Sequence, residues 1–525
     1  MKFSTLKHKF GILLCGTCLT MSMGLMVSCD DDDTAQAVVV TADPFDPSKP
    51  VLITGFTPEN GGYQDQIIIK GSNFGNDKTM VDLRIGGKKA VIVNVLSDKL
   101  YAYVPSGAFT GEVELTITDA NGNTHYVKAD KIFKYDPKTV VGSLCGYRNE
   151  NDDQGEVWGS FDICCGFRDA GCMAFDPLYP ERLYIAYDRG EGFVAELDLD
   201  KREYTRIMSA NKFQNQRLRN IAFSKDNKYM LVSTDRADHE LHSTSVWIVT
   251  RNADGTFSDR SSIQPLVAYK QCNGVAVHPV NGEVYFNSYE NGQLFRMELQ
   301  DYFDAINGIT LDPDGEPVKW TGYKEDGAFK ELFRIMDPSY EFQITIHPTG
   351  DYAYITVINR NYILRTDYDW DKEEFTTPYV IAGYNEGGSG SYADGVGTSA
   401  RFAHPYQGVF VKNPDYVGKR ADEYDYYLAD RLNFCVRYIT PDGLVRTYAG
   451  RSTSSNGNIW GTEDGDLRQA ARFRDVSGIA YDEADDRFYV LDDVNHRIRT
   501  IGKEDAGSNT GTDKPSPDPE PESGN

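Results

Sequence analysis

GIAYDEADDRFYVLDDVNHRIRTI, residues 478–501, reads as three short strands joined by two tight turns. GIAYDE (478–483) and RFYVLDD (487–493) are apolar, β-favouring runs that end on acids, and HRIRTI (496–501) sets Ile498 and Ile501 among polar residues. The first of these segments recurs upstream as CMAFDP (172–177), NIAFSK (220–225), GVAVHP (274–279), ITIHP (344–348) and GVFVKN (408–413). Aligned at Ala174, Ala222, Ala276, Thr345, Phe410 and Ala480, the copies stand 48 to 70 residues apart. After each comes a short turn and a second strand: RLYIAYD (182–188), YMLVSTD (229–235), EVYFNSY (283–289), YAYITVI (352–358) and YYLAD (426–430) precede the RFYVLDD of the last copy. A third strand usually follows, as in GFVAELD (192–198) or FCVRYIT (434–440). Four strands at this spacing make one propeller blade, so six copies predict a six-bladed β-propeller.

The triplet Asn495-His496-Arg497 within the last copy resembles an NHL repeat, and so do two inter-blade stretches, DGVGTSARFAHPYQGV (394–409) and EDGDLRQAARFRDVSGIA (463–480). The last copy ends at Ile501 with three strands. VVGSLCG (140–146) resembles the missing outermost strand, and its pairing there would close the ring and remove the free edges.

Ahead of the repeats, VLITGFTP (51–58), QIIIKGSNFG (66–75), VDLRIGG (81–87), KAVIVNV (89–95), KLYAYVPSG (99–107) and GEVELTITDANGN (111–123) are short alternating runs. Turn signals recur every 8–12 residues or so, the rhythm of a small β-sandwich. FTPENG, IKGSNFG, IGG, YVPSGAFTG and ITDANG resemble an IPT/TIG domain almost element by element. The fold class is therefore all-β, an immunoglobulin-like sandwich followed by a six-bladed propeller. The expected divisions are a signal peptide (1–28), an acidic linker (29–50), the sandwich (51–135), the propeller (139–502) and a Pro- and acid-rich tail (503–525).

With 525 residues the chain is too long for one core. Its formal charge of −25, from 54 Lys and Arg against 79 Asp and Glu, repels phosphate backbones, so a nucleic-acid partner is excluded. Lys2, Lys7 and Lys9, then the largely apolar Phe10–Val27, then Ser28 and Cys29 form a secretory signal pattern. Met26-Val27-Ser28-Cys29 resembles a bacterial lipobox, which implies lipid on Cys29; an N-terminal membrane helix is the alternative. The acids Asp30–Asp33 resemble an export signal to the outer face of the outer membrane in some Gram-negative gut bacteria. The expected location is thus the outer membrane, lipid-anchored and facing outward. Cys145, Cys164, Cys165, Cys172, Cys272 and Cys435 show no zinc spacing and are expected to be small buried hydrophobes.

In a propeller, the starts of innermost strands and the ends of second strands share one face around the central channel. At the starts stand Arg168, Asp169, Arg219, Asn220, Asn273, Gln343, Tyr406, Gln407 and Ser477. At the second-strand ends stand Tyr187, Asp188, Asp235, Arg236, Asn287, Tyr289, Asn359, Arg360, Asp430, Arg431, Asp493 and Asn495. Long loops on that face add Trp158, Phe161, Tyr384, Tyr392 and Trp460. Rings stack on sugar C–H faces, while amides and Arg forks bond hydroxyls and carboxylates, so these residues are the candidate ligand-binding set. His278 and His347 share one repeat slot on the opposite face, a turn role. His239 and His242 in HELH could share a metal but show no further ligand. Asp312 and Asp314 in LDPDGE read as a turn rather than a calcium loop. No catalytic residue, metal or cofactor is expected.

By resemblance, lipoproteins of this plan often accompany outer-membrane transporter complexes and capture polysaccharide or oligosaccharide, which implies a non-enzymatic, surface-tethered binding protein. Two alternatives stay open. An auxiliary glycan hydrolase or lyase would be supported by perturbed carboxylates around the channel. A protein–protein adaptor would be favoured by a broad apolar patch.

Overall fold

The computed structural model describes residues 43–504, apart from residues 106, 147–154, 190, 236–242, 270, 289–290, 325–326, 336–340, 386 and 454–457. Cys29, the acidic run after it, the tail beyond Glu504 and the HELH segment lie outside the described residues.

The N-terminal unit is a sandwich of two antiparallel sheets. One holds Leu52–Thr57, Gln66–Ser72, Lys99–Tyr103 and Val91–Leu96 in that spatial order. The other holds Lys88–Lys89, Val81–Ile85, Val113–Thr118 and Thr124–Lys128. Side chains alternate between faces with period two. Ile67 and Ile69, Leu83 and Ile85, and Leu115 and Ile117 are accordingly all fully buried between the sheets, with Leu100 and Phe133. Each such side chain contributes about 1.5–3 kcal/mol by leaving water.

The rest is a six-bladed propeller. Its innermost strands are Ala170–Phe175, Arg217–Phe223, Val275–Val277, Phe342–Ile346, Pro405–Lys412 and Val476–Asp482. Each packs beside the next, and the last returns to the first. In blades 1 to 5 the main strands follow chain order from the channel outward, and short strands that precede them in the chain, Gly159–Ser160 and Gly395–Val396, add to the outer edges of blades 1 and 5. Blade 6 does not: Thr139–Cys145 pairs antiparallel with Arg497–Lys503, from Thr139 opposite Lys503 to Cys145 opposite Ile498. VVGSLCG is therefore the closing strand, as the missing fourth strand of the last repeat required.

Two buried ion pairs repeat within this ring. Asp430 Oδ2 meets Arg437 Nη1 at 2.8 Å in blade 5, and Asp492 Oδ2 meets Arg499 Nη1 at 2.8 Å in blade 6; all four side chains are buried from water. Asn433 and Asn495 donate to the same carboxylates at 2.9 and 2.8 Å. Ala403 N–H and Arg474 N–H donate to the other carboxylate oxygens, fixing the start of each blade's innermost segment. The spacing Asp-x-x-Asn-x-x-x-Arg thus encodes a latch between consecutive strands.

The histidines of the opposite face are structural. His278 Nε2 donates to Gly350 O at 3.0 Å, and a Cβ on Gly350 (φ +82°) would fall 2.5 Å from that imidazole. His347 Nε2 faces Asp422 at 3.4 Å. Asp312 Oδ1 accepts from the N–H of Asp314 and of Glu316, an ordinary turn. The 299–330 insertion forms a helix, Leu299–Ile306, whose Tyr302 meets Trp320 edge-on. Trp320 Nε1 donates to Leu266 O, and Phe329 packs on Phe286 and Phe295, so the insertion covers blades 2 and 3. The six cysteines among the described residues are all buried and unbridged.

Candidate functional site: the channel mouth

Four innermost strands carry a register shift at their first turn, between Ala170 and Cys172, Leu218 and Asn220, Pro405 and Gly408, and Val476 and Ile479. A bulge leaves a residue unpaired and re-aims its side chain. The residues freed in this way are Gly171, Arg219, Tyr406 with Gln407, and Ser477 with Gly478. Irregular backbone therefore sets up the mouth.

Those side chains cross the ring. Arg219 of blade 2, only 2% exposed, faces Asp235 at 3.1 Å, Asp188 of blade 1 at 3.4 Å, and Glu341 at the entry to blade 4, to which its Nη2 donates. Tyr406 OH of blade 5 donates to Asp188 Oδ2 at 3.5 Å. Gln407 Nε2 donates to Met173 O at 2.7 Å, while its Oε1 accepts from Met173 N–H at 2.9 Å and Ile479 N–H at 3.1 Å. One amide thereby joins blades 5, 6 and 1. Ser477 Oγ donates to Ala170 O at 2.8 Å. Since the Arg219–Glu341, Tyr406–Asp188 and Gln407–Met173 bonds link blades that are not neighbours, polar and charged side chains span the channel at its mouth.

Arg217 Nε donates to Asp188 Oδ1 at 2.8 Å. Asn359 Nδ2 donates to Glu341 Oε2 at 2.7 Å. Arg431 donates through two nitrogens to Asp475 and lies 4.0 Å from Asp493, whose Oδ1 accepts from Ala170 N–H. Three guanidiniums thus face Asp188, Asp235, Glu341, Asp475 and Asp493, and acid is in excess. Burial, reinforced by the charge of Asp475, pushes the Asp493 carboxyl up to about 7. Burial also raises Asp235. Burial acts to raise Glu341 too, but the Arg219 charge and hydrogen bonds from Arg219 and Asn359 hold it below the usual range. Among the described residues no group of three or more His, Cys, Asp or Glu is arranged to hold a metal ion.

The structure gathers Arg219, Tyr406, Gln407, Asp188, Asp235, Asn359, Arg431 and Asp493 at this mouth. Asn220 and Gln343 are buried on the innermost strands beside them, and Asn273 is buried just ahead of the Val275–Val277 strand; Asn273 Nδ2 and Gln343 Nε2 are closed to solvent and have no hydrogen-bond acceptor among the described residues. Arg360 lies against Gly387 of the next loop, and Arg168 stands on the rim beside Asp169. Trp460 is part-exposed with the Arg474 guanidinium 4.7 Å from its ring, and exposed Tyr384 is similarly placed by Arg401. Tyr392 lies under Arg451 at 3.9 Å.

Other candidates sit inside the blades. Tyr187 stacks on Phe193 and bonds Tyr204 in the blade 1 core, where Phe161 is also buried and Trp158 packs on Tyr204. Asn287 Oδ1 accepts from the N–H of Asn273 and of Gly274 and holds the entry to blade 3. Asp430 and Asn495 belong to the latches. Arg236 and Tyr289 lie outside the described residues. Sequence reading missed Arg217, Glu341 and Asp475. Each stands two positions before a named strand-start residue, so the period of two along the strand was the available signal.

A family model of the IPT/TIG domain matches residues 50–135. No curated protein matches the chain. Among solved structures, a putative phosphatase from Bacteroides thetaiotaomicron is 51% identical, covering 88% of this chain and 99% of that one, with a TM-score of 0.74. An auxiliary nutrient binding protein from the same organism is 35% identical over the same shares, also at 0.74. A Bacteroides ovatus protein of the same description is 29% identical, covering 88% of this chain and 100% of that one, at 0.61. Fold and site define a TIG-plus-propeller protein with a side-chain-plugged channel. More particularly, the chain belongs to the family of these two Bacteroides thetaiotaomicron proteins, which it matches across both domains.

Proposed function

We propose that this chain is an accessory protein of nutrient uptake that captures a neutral, hydroxyl-rich ligand, a glycan fragment, at the propeller mouth. In this reading lipid on Cys29 tethers it to the outer face of the outer membrane, and it serves an outer-membrane transporter complex. The observation that carries the ligand class is the pairing of the mouth. Arg217, Arg219 and Arg431 are each already engaged by the chain's own carboxylates, so none of these three forks is left free for an anionic ligand. What the mouth offers instead is carboxylate acceptors and the rim rings of Trp460 and Tyr384. Acceptors and ring faces suit sugar hydroxyls and C–H surfaces. The description of two family relatives as auxiliary nutrient binding proteins supports the accessory role.

A glycan-array screen with residues 30–525 tests this reading. Neutral glycans should be retained in preference to sulfated or uronate ones, and Trp460→Ala with Tyr384→Ala should lose at least tenfold in affinity. Retention of no glycan, or full retention by the double variant, overturns it. A second reading, glycan cleavage at the same mouth, draws on Asp493, pushed up to about 7 chiefly by burial, since a carboxyl raised toward neutral suits general acid–base work. Shortened products from an array-positive glycan, absent with Asp493→Asn, would establish it. The description of the 51% relative suggests phosphoester hydrolysis, for which Arg217, Arg219 and Arg431, each held by a carboxylate, leave no free fork to hold a phosphate.

A further inference from the structure

A cleft of about 720 Å³ lies between the sandwich and the last blade, away from the channel mouth. Its sandwich wall is the Tyr63–Asp65 turn, the end of the Lys99–Tyr103 strand and Val91 on the adjoining edge strand. Its propeller wall is Lys138 and Val140 of the closing segment, with Asp466 and Gln469 of the turn outside it.

The walls are tied together. Glu504, at the end of the last propeller strand and 8% exposed, accepts Gly107 N–H of the sandwich at 3.1 Å through Oε2. Its Oε1 accepts Lys138 N–H at 3.1 Å, and its own N–H donates to Lys138 O at 3.0 Å. Lys138 Nζ donates back across the junction to Asp65 Oδ1 at 2.6 Å and Tyr63 O at 2.9 Å. A cleft whose walls are bonded in place needs little ordering when a ligand enters.

Its chemistry is specific in kind. Lys138 and Asp65 neutralise each other, and Asp466 Oδ1 is committed to the N–H groups of Arg468 and Gln469. What faces the space is two half-buried tyrosine rings, the exposed amides of Gln64 and Gln469, and the exposed apolar side chain of Val91. Small-molecule sites span about 300–1,000 Å³ and favour domain junctions. Ring faces beside amides, with no unpaired cation, match a ligand that presents C–H surfaces and hydroxyls.

We propose that this cleft is a second binding site, for a neutral saccharide segment. Tyr63 and Tyr103 supply ring faces, and Gln64 and Gln469 bond hydroxyls. The proposal does not depend on the channel-mouth reading.

The test is isothermal titration of residues 30–525 with maltohexaose, cellohexaose, mannohexaose and xylohexaose. At least one probe should bind with an affinity that falls tenfold or more in Gln64→Ala/Gln469→Ala and in Tyr63→Ala. That component should stay within twofold in Trp460→Ala, which lies at the mouth. Gln64 and Gln469 are exposed, so their double variant should melt with the parent and report on binding alone. Binding to none of the four probes overturns the proposal. So does binding that the cleft variants leave unchanged, and in that case loss in Trp460→Ala would assign the affinity to the mouth.

Discussion

Replacing Asp493 with Asn should stabilise the protein, and more at pH 8 than at pH 5. Burial first, and then the charge of Asp475, pushes this carboxyl up from 3.8 to about 7 in the folded chain. The folded state therefore keeps a proton that the unfolded chain has released, and stability falls as pH rises from about 4 to about 7. With about 1.4 kcal/mol per pKa unit, the ionised side chain costs the fold about 4 kcal/mol at pH 8 relative to a neutral group. At pH 5 the folded carboxyl is still protonated, and the same comparison gives about 1.5–2 kcal/mol. Asp493→Asn removes the charge and keeps an oxygen to accept Ala170 N–H. The gain should thus be about 2–3 kcal/mol larger at pH 8 than at pH 5. Urea unfolding followed by tryptophan fluorescence at the two pH values measures it. An equal gain at both, or a loss at pH 8, would refute the argument that this carboxyl is buried among like charges.

Arg499→Met strands Asp492 without its partner in a site closed to water and should cost about 3–5 kcal/mol, whereas Arg84→Met, on an exposed pair, should cost less than about 1 kcal/mol. Equal urea midpoints for the two variants would mean that the latch carries no stability. A chain starting at Glu150 lacks the strand opposite residues 498–503, and one starting at Asp136 keeps it. At about 0.5–1.5 kcal/mol per lost hydrogen bond, the shorter chain should aggregate or melt well below the longer; coincident melts would show that the ring holds without its closing strand. Cys29→Ala should move the protein from the membrane to the soluble fraction, and continued membrane association with an intact leader would point to a helical anchor instead.

The blades, the sandwich and the closing strand were legible because strand alternation, turn residues and repeat spacing are local properties. GIAYDE and its copies carry them in six residues, and VVGSLCG could be placed because the last repeat was one strand short. The latch was also written locally, as Asp-x-x-Asn-x-x-x-Arg at 430–437 and 492–499, but its meaning was not, since a strand-end Asp reads alike whether it faces solvent or a buried arginine. Tertiary structure alone decided the mouth. Arg219 and Glu341 stand 122 residues apart, and Gln407 and Met173 stand 234 apart. No local pattern pairs such residues. Bulges at four strand starts turn their side chains inward, and ring closure then sets Arg219 of blade 2 opposite Glu341 at the entry to blade 4. Sequence could nominate the arginines as free forks, but only the closed ring showed that the chain's own acids already hold them.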